Sequence, residues 1–262
     1  MTLGFSVNDL LPKARGGGQL KMGLVKLSEE DWLQPQVDLK SRRAGFAAHP
    51  DGIASTAEAE SAGCELARIL GIEGGLAEAA LTHHEDMCLL TRSPDEQQYR
   101  LAGAAVAWPS DWGPKEKIGL PLRALHQPIQ GYEEQLATPV DAFMEKLKPG
   151  AIYGRANWFI AHTPQMHWIQ GESAAQDFAD VTAQNAGETL FVRSERQTLR
   201  RLPETGAILF TIGIYVEALA ALSPDNQVML SAAMDTLLAG EGDRRGAPYY
   251  AEQLQAYVRA QQ

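Results

Sequence analysis

The sequence predicts an α+β protein built on one five-stranded, mainly antiparallel sheet. Three observations support this fold class. Strand-like segments come first as a pair and later as a triple, and helical segments precede, separate and follow them. Strands do not alternate singly with helices, as a chain of βαβ units requires. Glycine patterns of the GxGxxG and GxxxxGK[ST] types are absent from the sequence, so a Rossmann fold is not expected.

The first third of the chain is predicted to be helical. A helix is expected to start at Ser28, because a serine able to cap a helix is followed there by three acidic residues. Residues 56–70 carry apolar side chains at helical spacing, and Gly71 follows as a C-cap. Gly16-Gly17-Gly18 is expected to belong to a mobile lead-in over residues 1–21.

The predicted sheet begins with strands at residues 86–92 and 98–107, which the turn-forming run Ser93-Pro94-Asp95-Glu96 separates. Residues 114–147 follow as a helical crossover, which Pro121, Pro128 and Pro139 are expected to break into pieces. Three predicted strands rich in β-branched and aromatic residues follow, at residues 151–161, 188–199 and 207–217. Two predicted helices close the chain, at residues 223–238 and 247–261.

Composition narrows the functional classes. A formal net charge of −10 and a pI near 5.1 argue against a nucleic-acid partner. The sequence has no uninterrupted apolar run of about 18 residues and no signal-peptide pattern, so we expect a cytoplasmic protein without a membrane span. Cys64 and Cys88 lie in apolar surroundings without CxxC spacing, and both are predicted to be buried free thiols in a reducing compartment.

Among the histidines, His126 is the best candidate ligand. It ends an apolar half-helix in the crossover, where a flat cofactor could lie between helix and sheet, and its imidazole could supply one axial bond to haem iron. A core or surface role is the alternative. His83 and His84 are neighbours that point to different faces and make a poor chelate. His162 and His167 are expected to be exposed loop residues or to line a pocket entrance.

Residues 188–216 are predicted to form two adjacent strands, and the first of them is unusually charged. Alternation places Arg193, Glu195 and Gln197 on one face and Arg196 on the other. Two interpretations remain open. One is a solvated face with a surface ion pair, which contributes little stability. The other is a face that binds carboxylates or a polar reactive ligand such as dioxygen, because a buried arginine needs a counter-charge.

Seven segments are distinctive when taken in series, and the most specific is Glu195-Arg196-Gln197-Thr198-Leu199-Arg200-Arg201-Leu202-Pro203 with the stretch after it. The segments are residues 85–90, 108–112, 117–122, 126–129, 155–158, 195–203 and 206–212. These segments, taken in their order along the chain, resemble the haem-dependent oxidative N-demethylase family, and the resemblance extends from about residue 22 to 255.

The resemblance implies one haem-binding PAS-like domain over residues 1–262, in which a five-stranded antiparallel sheet and a helical crossover carry N- and C-terminal helical extensions. Its implied parts are the lead-in 1–21, the N-terminal extension 22–85, the PAS-like core 86–217 and the C-terminal helices 218–262.

The resemblance also implies chemistry: a monooxygenase-type N-demethylation of a small amine such as dimethylamine. Haem b and dioxygen carry it out, with electrons from NADPH through a separate subunit that holds FMN and a 2Fe–2S cluster. The implied iron ligand is His126, the implied cofactor contacts are Arg155, Trp158 and Gln197, and the implied catalytic residues are Arg193, Glu195 and Arg196. These three would orient dioxygen, bind substrate or pair with haem propionates.

Three other functions compete with this one: a haem-based PAS gas or redox sensor, a non-catalytic haem-binding protein, and a cofactor-free structural subunit of a larger oxidase. Two positions also depart from the family pattern. His84 stands where glutamine is expected, and Gly213 stands where arginine is expected. Loss of an arginine from a sheet position bears on the substrate more than on haem binding.

Overall fold

The computed structural model describes residues 2–14, 20–171, 173–238 and 242–262. Its strands are Val25–Leu27 (β1), Ile53–Ser55 (β2), Asp86–Thr91 (β3), Arg100–Ala105 (β4), Ile152–Ala161 (β5), Phe191–Arg201 (β6) and Ile208–Ala218 (β7). They form a seven-stranded sheet in the order β1-β5-β6-β7-β3-β4-β2. The strand pairs β1–β5, β2–β4, β3–β4 and β3–β7 run antiparallel. The α+β class is therefore confirmed.

The helices are Val7–Leu10 (α1), Leu39–Ala48 (α2), Ala59–Leu70 (α3), Leu76–Thr82 (α4), Pro114–Lys117 (α5), Leu122–Leu125 (α6), Thr138–Lys146 (α7), Ala174–Asp177 (α8), Ala186–Thr189 (α9), Pro224–Leu238 (α10) and Ala251–Ala260 (α11). A π-helical turn, Glu133–Ala137, leads into α7. In the described ranges, no helix is both long enough and apolar enough to cross a bilayer.

The predicted sheet of five strands was too small, because β1 and β2 add a short strand at each edge. Each has three residues, too few to show the alternation from which strands are recognised. The predicted strand at residues 188–199 also begins too early. The carbonyl of Asn185 accepts hydrogen bonds from the backbone N–H and the hydroxyl of Thr189, so this residue still belongs to a helical turn.

The adjacent strands predicted over residues 188–216 are present as β6 and β7, which are neighbours in the sheet. The turn between them closes through a hydrogen bond from the Leu202 N–H to the Ala207 carbonyl, 2.8 Å long. Gly206 lies in this turn at φ 72°, a conformation that favours glycine.

Two expectations about helix ends were wrong. No helix starts at Ser28, whose hydroxyl donates to Asp31 in a turn, because Pro35 would interrupt the second turn of such a helix. The helix starts at α2 instead, where the carboxylate of Asp38 caps the first N–H groups. Pro139 does not break the crossover, since it occupies the first turn of α7, where proline is tolerated. The prediction of α3 and of Gly71 as its left-handed C-cap is confirmed.

The lead-in predicted over residues 1–21 is partly folded. Residues 7–10 form α1, and Val7, Leu10 and Leu11 are buried. These apolar residues have the i, i+3, i+4 spacing of a helix face, which explains why the segment packs. Gly16-Gly17-Gly18 lies outside the described residues.

The chain divides into two compact units. The first consists chiefly of residues 24–154 and 197–213, and the second of residues 3–23, 155–196 and 214–262. Strands β5, β6 and β7 contribute residues to both units. The single-domain organisation and its boundaries stay a prediction.

The core of the first unit lies between the crossover and the sheet. Side chains of α6 and α7 pack against side chains of β3, β4, β6 and β7 in one apolar cluster. Its members include Leu122, Met144, Leu147, Cys88, Leu90, Leu101, Leu199 and Ile208. Within this unit, the crossover therefore lies directly on one face of the sheet.

Candidate functional site

A buried ion pair joins α2 to the start of β3 in the first unit. The Arg42 guanidinium donates to Asp86 Oδ1 over 2.7 Å and to the carbonyl oxygens of Ala80 and Glu85 over 2.7 and 2.8 Å. The same guanidinium lies 4.7 Å from the ring of Trp108. Arg42 and Asp86 are both buried, so the pair is a structural connection.

The Asp86 carboxylate also accepts hydrogen bonds from the N–H groups of Ala107 and Trp108, 2.8 and 3.1 Å long. Glu85 Oε1 accepts from the N–H of Gln34 over 2.8 Å. Segments 85–90 and 108–112, both distinctive in the sequence, therefore meet at one carboxylate. The Glu85-Asp86 pair fixes the backbone in this region.

Arg201, in the most specific segment, is also a structural residue. Its guanidinium donates to the carbonyl oxygens of Leu147, Met144 and Gly206 and to the hydroxyl of Tyr99. The carbonyls of Leu147 and Met144 lie at the C-terminal end of α7, where backbone acceptors lack helical partners. Arg201 thus holds the end of the crossover against β6 and the β6–β7 turn.

Other residues of the segment serve the same purpose. Arg200 lies 4.1 Å from the Trp32 ring and pairs with Glu29, and the hydroxyls of Thr198 and Thr211 are 2.6 Å apart between β6 and β7. In the first unit, the segment after Arg196 therefore fixes the strands and the crossover.

The carboxylate of Glu65, on α3, binds the β6–β7 turn. It accepts hydrogen bonds from the N–H of Glu204 and from the N–H and hydroxyl of Thr205, over 2.6 to 2.8 Å. Burial alone would raise the pKa of Glu65, but these hydrogen bonds outweigh it and hold the pKa below its ordinary value.

His126 follows directly after α6, and its orientation is fixed from two sides. Its Nδ1 lies 2.8 Å from the carbonyl oxygen of Leu122. A carbonyl oxygen can only accept, so Nδ1 is the donor in this hydrogen bond. The ring of Tyr132 stacks on the imidazole, with centroids 4.4 Å apart and an interplanar angle of 6°. Burial raises the pKa of Tyr132 to about 12.

This arrangement fits a single axial bond to haem iron. Metal-binding imidazoles typically donate one ring N–H to a carbonyl or carboxylate and coordinate through the other nitrogen. Across the described part of the chain, no group of three or more His, Cys, Asp and Glu side chains is arranged to hold a metal ion by itself. Gln197, the predicted cofactor contact in this unit, lies on the same face of β6 as Leu199. Leu199 belongs to the same apolar cluster as Leu122, which accepts the hydrogen bond from His126.

In the second unit, the solvated-face interpretation of β6 is wrong, because Arg193 and Arg196 are both 0% exposed. Arg193 donates to the carbonyl of Gln165 over 3.3 Å and lies 6.0 Å from the ring of Phe159. Arg196 lies over the ring of Phe5 at 4.3 Å. The sequence left the burial open, because alternation assigns faces and not the elements that cover them.

Glu195 and Arg155 interact electrostatically within this unit. Burial lowers the pKa of Arg155, and the charge of Glu195 opposes that shift. The buried Nε of Arg155 has no acceptor within the described residues. Trp158 is buried, and strand alternation puts it on the face of β5 opposite to Arg155. Sequence reasoning had assigned both residues to the cofactor.

Phe159 is the centre of a cluster that sequence reasoning missed. The Arg245 guanidinium lies 4.8 Å from its centroid and the Trp168 ring 4.9 Å away. Arg245 lies in the connection between α10 and α11, far along the chain from Phe159, so no local signal could have joined them. His162 belongs to the same surroundings: it is partly buried and lies 3.7 Å from Asp177.

The remaining candidates have structural surroundings. His83 Nδ1 contacts the carbonyl of Ala79, and the buried His84 packs against Trp108. Cys88 is buried as predicted, and burial raises the pKa of its thiol. Cys64 is exposed instead, because it lies on the outer side of α3.

Comparison with protein families gives a match over most of the chain. A family described as haem-dependent oxidative N-demethylase, alpha subunit-like, matches residues 39–252 of the 262-residue chain. The matched range contains every site residue predicted from the sequence. The chain therefore belongs to the haem-dependent oxidative N-demethylase, alpha subunit-like family.

Proposed function

We propose that this chain is a haem-dependent oxidative enzyme of the N-demethylase type, with His126 as the axial ligand of haem b. The observation that carries the proposal is the contact of His126 Nδ1 with the Leu122 carbonyl, because metal-binding imidazoles typically donate one ring N–H in this way and coordinate through the other nitrogen. The stacked Tyr132 ring supports the assignment, since it restricts rotation of the imidazole.

Haem, when bound, supplies the one-electron and dioxygen chemistry, while the chain supplies ligation, orientation and exclusion of water. We assign Arg193 and Glu195, which share a face of β6, to binding the amine and orienting dioxygen. A carboxylate such as Glu195 can hold a protonated amine. Arg196 points to the other face and packs on Phe5, which supports a packing role for it.

The wider proposal has three parts. The strands β3 to β7 constitute the PAS-like sheet, and they occupy consecutive central positions of the seven-stranded sheet. Electrons come from NADPH through a separate subunit with FMN and a 2Fe–2S cluster, and the words alpha subunit in the family's description support such a partner. The enzyme acts in the cytoplasm on a small N-methylated amine of the dimethylamine class and releases formaldehyde.

The ligand assignment is tested by haem titration of the purified protein, followed by its visible spectrum. We expect a Soret band that shifts or disappears in His126→Ala and returns when free imidazole is added. His83→Ala is the matched control and should leave the spectrum unchanged. An unchanged Soret band in His126→Ala would remove His126 as the ligand.

The activity is tested with NADPH and a reductase over a panel of N-methylated amines, with formaldehyde as the product measured. Release of formaldehyde supports the proposal. A protein that binds haem but releases no formaldehyde from any amine of the panel is instead a sensor or a non-catalytic haem-binding protein.

A further inference from the structure

We propose that Arg123 is a positioning residue for His126: with Glu133 and Asp141 it holds the imidazole in its stack on Tyr132. We call these three charged residues the clamp. The link of the clamp to haem rests on the proposed function, whereas the stack of the two rings is measurable on the haem-free chain. The two proposals are therefore tested separately.

The short helix before His126 depends on contacts with its surroundings. Helix α6 has four residues, and a single helical turn is not stable by itself. Its first N–H, from Leu122, donates to the carbonyl oxygen of Tyr99 over 2.8 Å, which attaches this end of the helix to the residue before β4. His126 follows the other end, so the position of its ring depends on what holds that end.

The clamp joins that end to the two segments that follow it. Arg123 Nη2 and Nε donate to Asp141 Oδ2, on α7, over 2.8 and 3.1 Å. Arg123 Nη1 donates to Glu133, the residue directly after Tyr132. A guanidinium has donors on separate edges of one rigid plane, so it can bind both carboxylates at the same time. Arg123, which lies three residues before His126, therefore connects the segment of the imidazole to the segment of the tyrosine ring.

The connection between the two rings folds back on itself. The N–H of Ile129 donates to the carbonyl oxygen of His126 over 2.9 Å, and the N–H of Tyr132 donates to the carbonyl oxygen of Ile129 over 3.1 Å. Gly131 reverses the chain at φ 78°, in the left-handed region that favours glycine. The clamp closes this loop from outside, because Arg123 and Glu133 lie on either side of it in the sequence.

The π-helical turn Glu133–Ala137 sets the direction of Tyr132. It holds one residue more than an α-helical turn, which rotates the residues before it by about 100° around the helix axis relative to α7. Leu136, within this turn, is buried and anchors it. The same rotation therefore directs Tyr132 to the imidazole and Glu133 to Arg123, and π-helical turns are frequent at functional sites.

The exposure of the clamp separates its effect on position from its effect on stability. The side chains of Arg123, Asp141 and Glu133 are 34%, 28% and 60% exposed. Ion pairs this accessible contribute little to the stability of a fold, so loss of the clamp should leave the chain folded and release the imidazole. A ligand ring that must be ordered during binding weakens the affinity, by about two- to tenfold for one side chain.

The first experiment measures the stack in the haem-free, full-length protein by NMR of its histidine rings at about pH 8.5, where an ordinary imidazole is neutral. Protons over an aromatic face are shifted upfield, and the signal of His126 is assigned by its absence in His126→Ala. Tyr132→Leu gives the unstacked reference value, and Tyr132→Phe should keep the shift. We expect Arg123→Gln to lose at least about half of the shift, and Arg123→Lys, which keeps the charge without the planar fork, to lie between it and the unmodified chain.

The second experiment measures the haem affinity of the same variants from the Soret band during a titration. Arg123→Gln should bind haem about two- to tenfold more weakly than the unmodified chain and should keep the Soret band, because His126 is still present. The matched control is Arg68→Gln, which breaks the exposed Arg68–Glu204 pair in the same unit and should change neither the His126 signal nor the affinity.

Circular dichroism verifies that the variants are folded. Should Arg123→Gln be unfolded, Glu133→Gln and Asp141→Asn each remove one negative charge of the clamp and should give part of both effects.

The proposal is overturned if the His126 signal of Arg123→Gln keeps its full shift, or if this variant binds haem as tightly as the unmodified chain does. A clamp-dependent shift in a protein that gives no Soret band with haem would leave the clamp standing as the support of the stack and remove the proposed haem function. A Soret band that depends on His126, with an NMR shift that does not depend on Arg123, would do the reverse.

Discussion

Replacing Asp86 by asparagine is expected to destabilise the first unit by about 3 to 5 kcal/mol, the usual result of breaking a buried ion pair. Asp86 accepts from the guanidinium of Arg42 and from the N–H groups of Ala107 and Trp108. Asparagine preserves the shape, but it removes the negative charge and turns one acceptor into a donor. The buried guanidinium of Arg42 then loses its counter-charge, and each hydrogen bond to a charged group is worth about 1.5 to 3 kcal/mol.

The assay is urea unfolding followed by circular dichroism and tryptophan fluorescence, with the midpoint and the slope fitted separately. The matched control is Glu204→Gln. It breaks the Arg68–Glu204 pair, whose side chains are 59% and 65% exposed, and should lower stability by at most about 1 kcal/mol. A loss below about 1 kcal/mol in Asp86→Asn, with an unchanged slope, would refute the assignment of a buried, structural ion pair.

Three further predictions concern the same unit. Glu65→Gln should lower the free energy of unfolding by about 1 to 3 kcal/mol at neutral pH. Because the pKa of Glu65 is lower in the folded chain than its ordinary value near 4.3, its contribution is complete above that pH and is lost as the pH falls through the folded pKa. The difference between protein and variant should therefore close in acid, and a difference that is constant from pH 6 to 3 would contradict this. Tyr132→Phe removes a buried hydroxyl without a partner among the described residues and keeps the stack on His126. Unfolding should therefore need the same urea concentration or more, and a loss above about 1 kcal/mol would show that the hydroxyl is paired. Thiol labelling of the native protein should modify Cys64 quickly and Cys88 only after unfolding, and mass spectrometry of the labelled peptides distinguishes the two.

The parts of the fold that could be predicted are those whose determining residues lie within or next to the element itself. Gly71 and Gly206 stand where the backbone has a left-handed conformation, and Gly71 was expected as the C-cap of its helix. The helix expected at Ser28 failed because capping chemistry is only one requirement: Pro35 excludes the second turn. The edge strands β1 and β2 were not predicted, because each has only three residues, too few to show an alternation of apolar and polar side chains. They are recognised as strands by their pairing with β5 and β4.

The candidate site also has parts that local sequence predicts and parts that depend on contacts between distant segments. The place of His126 at the end of a short helix was predicted from the apolar residues before it, and its role as the haem ligand stays a prediction. The Phe159 cluster was not predictable, because Trp168, Arg193 and Arg245 come from three separate parts of the chain. The burial of Arg193 was also undecided, because strand alternation gives the side of the sheet but not the elements that cover it.

The bonds of Arg201 have a consequence for how membership in this family is interpreted. Its segment is the most specific one in the chain, yet Arg201 donates to the end of α7, to the β6–β7 turn and to Tyr99, and all of these contacts join parts of the fold to one another. The presence of this segment in a chain therefore indicates the fold of that chain. Under the proposed function, whether such a chain is an N-demethylase is judged from the residues at the positions of His126, Arg193 and Glu195, which lie outside the contacts of Arg201.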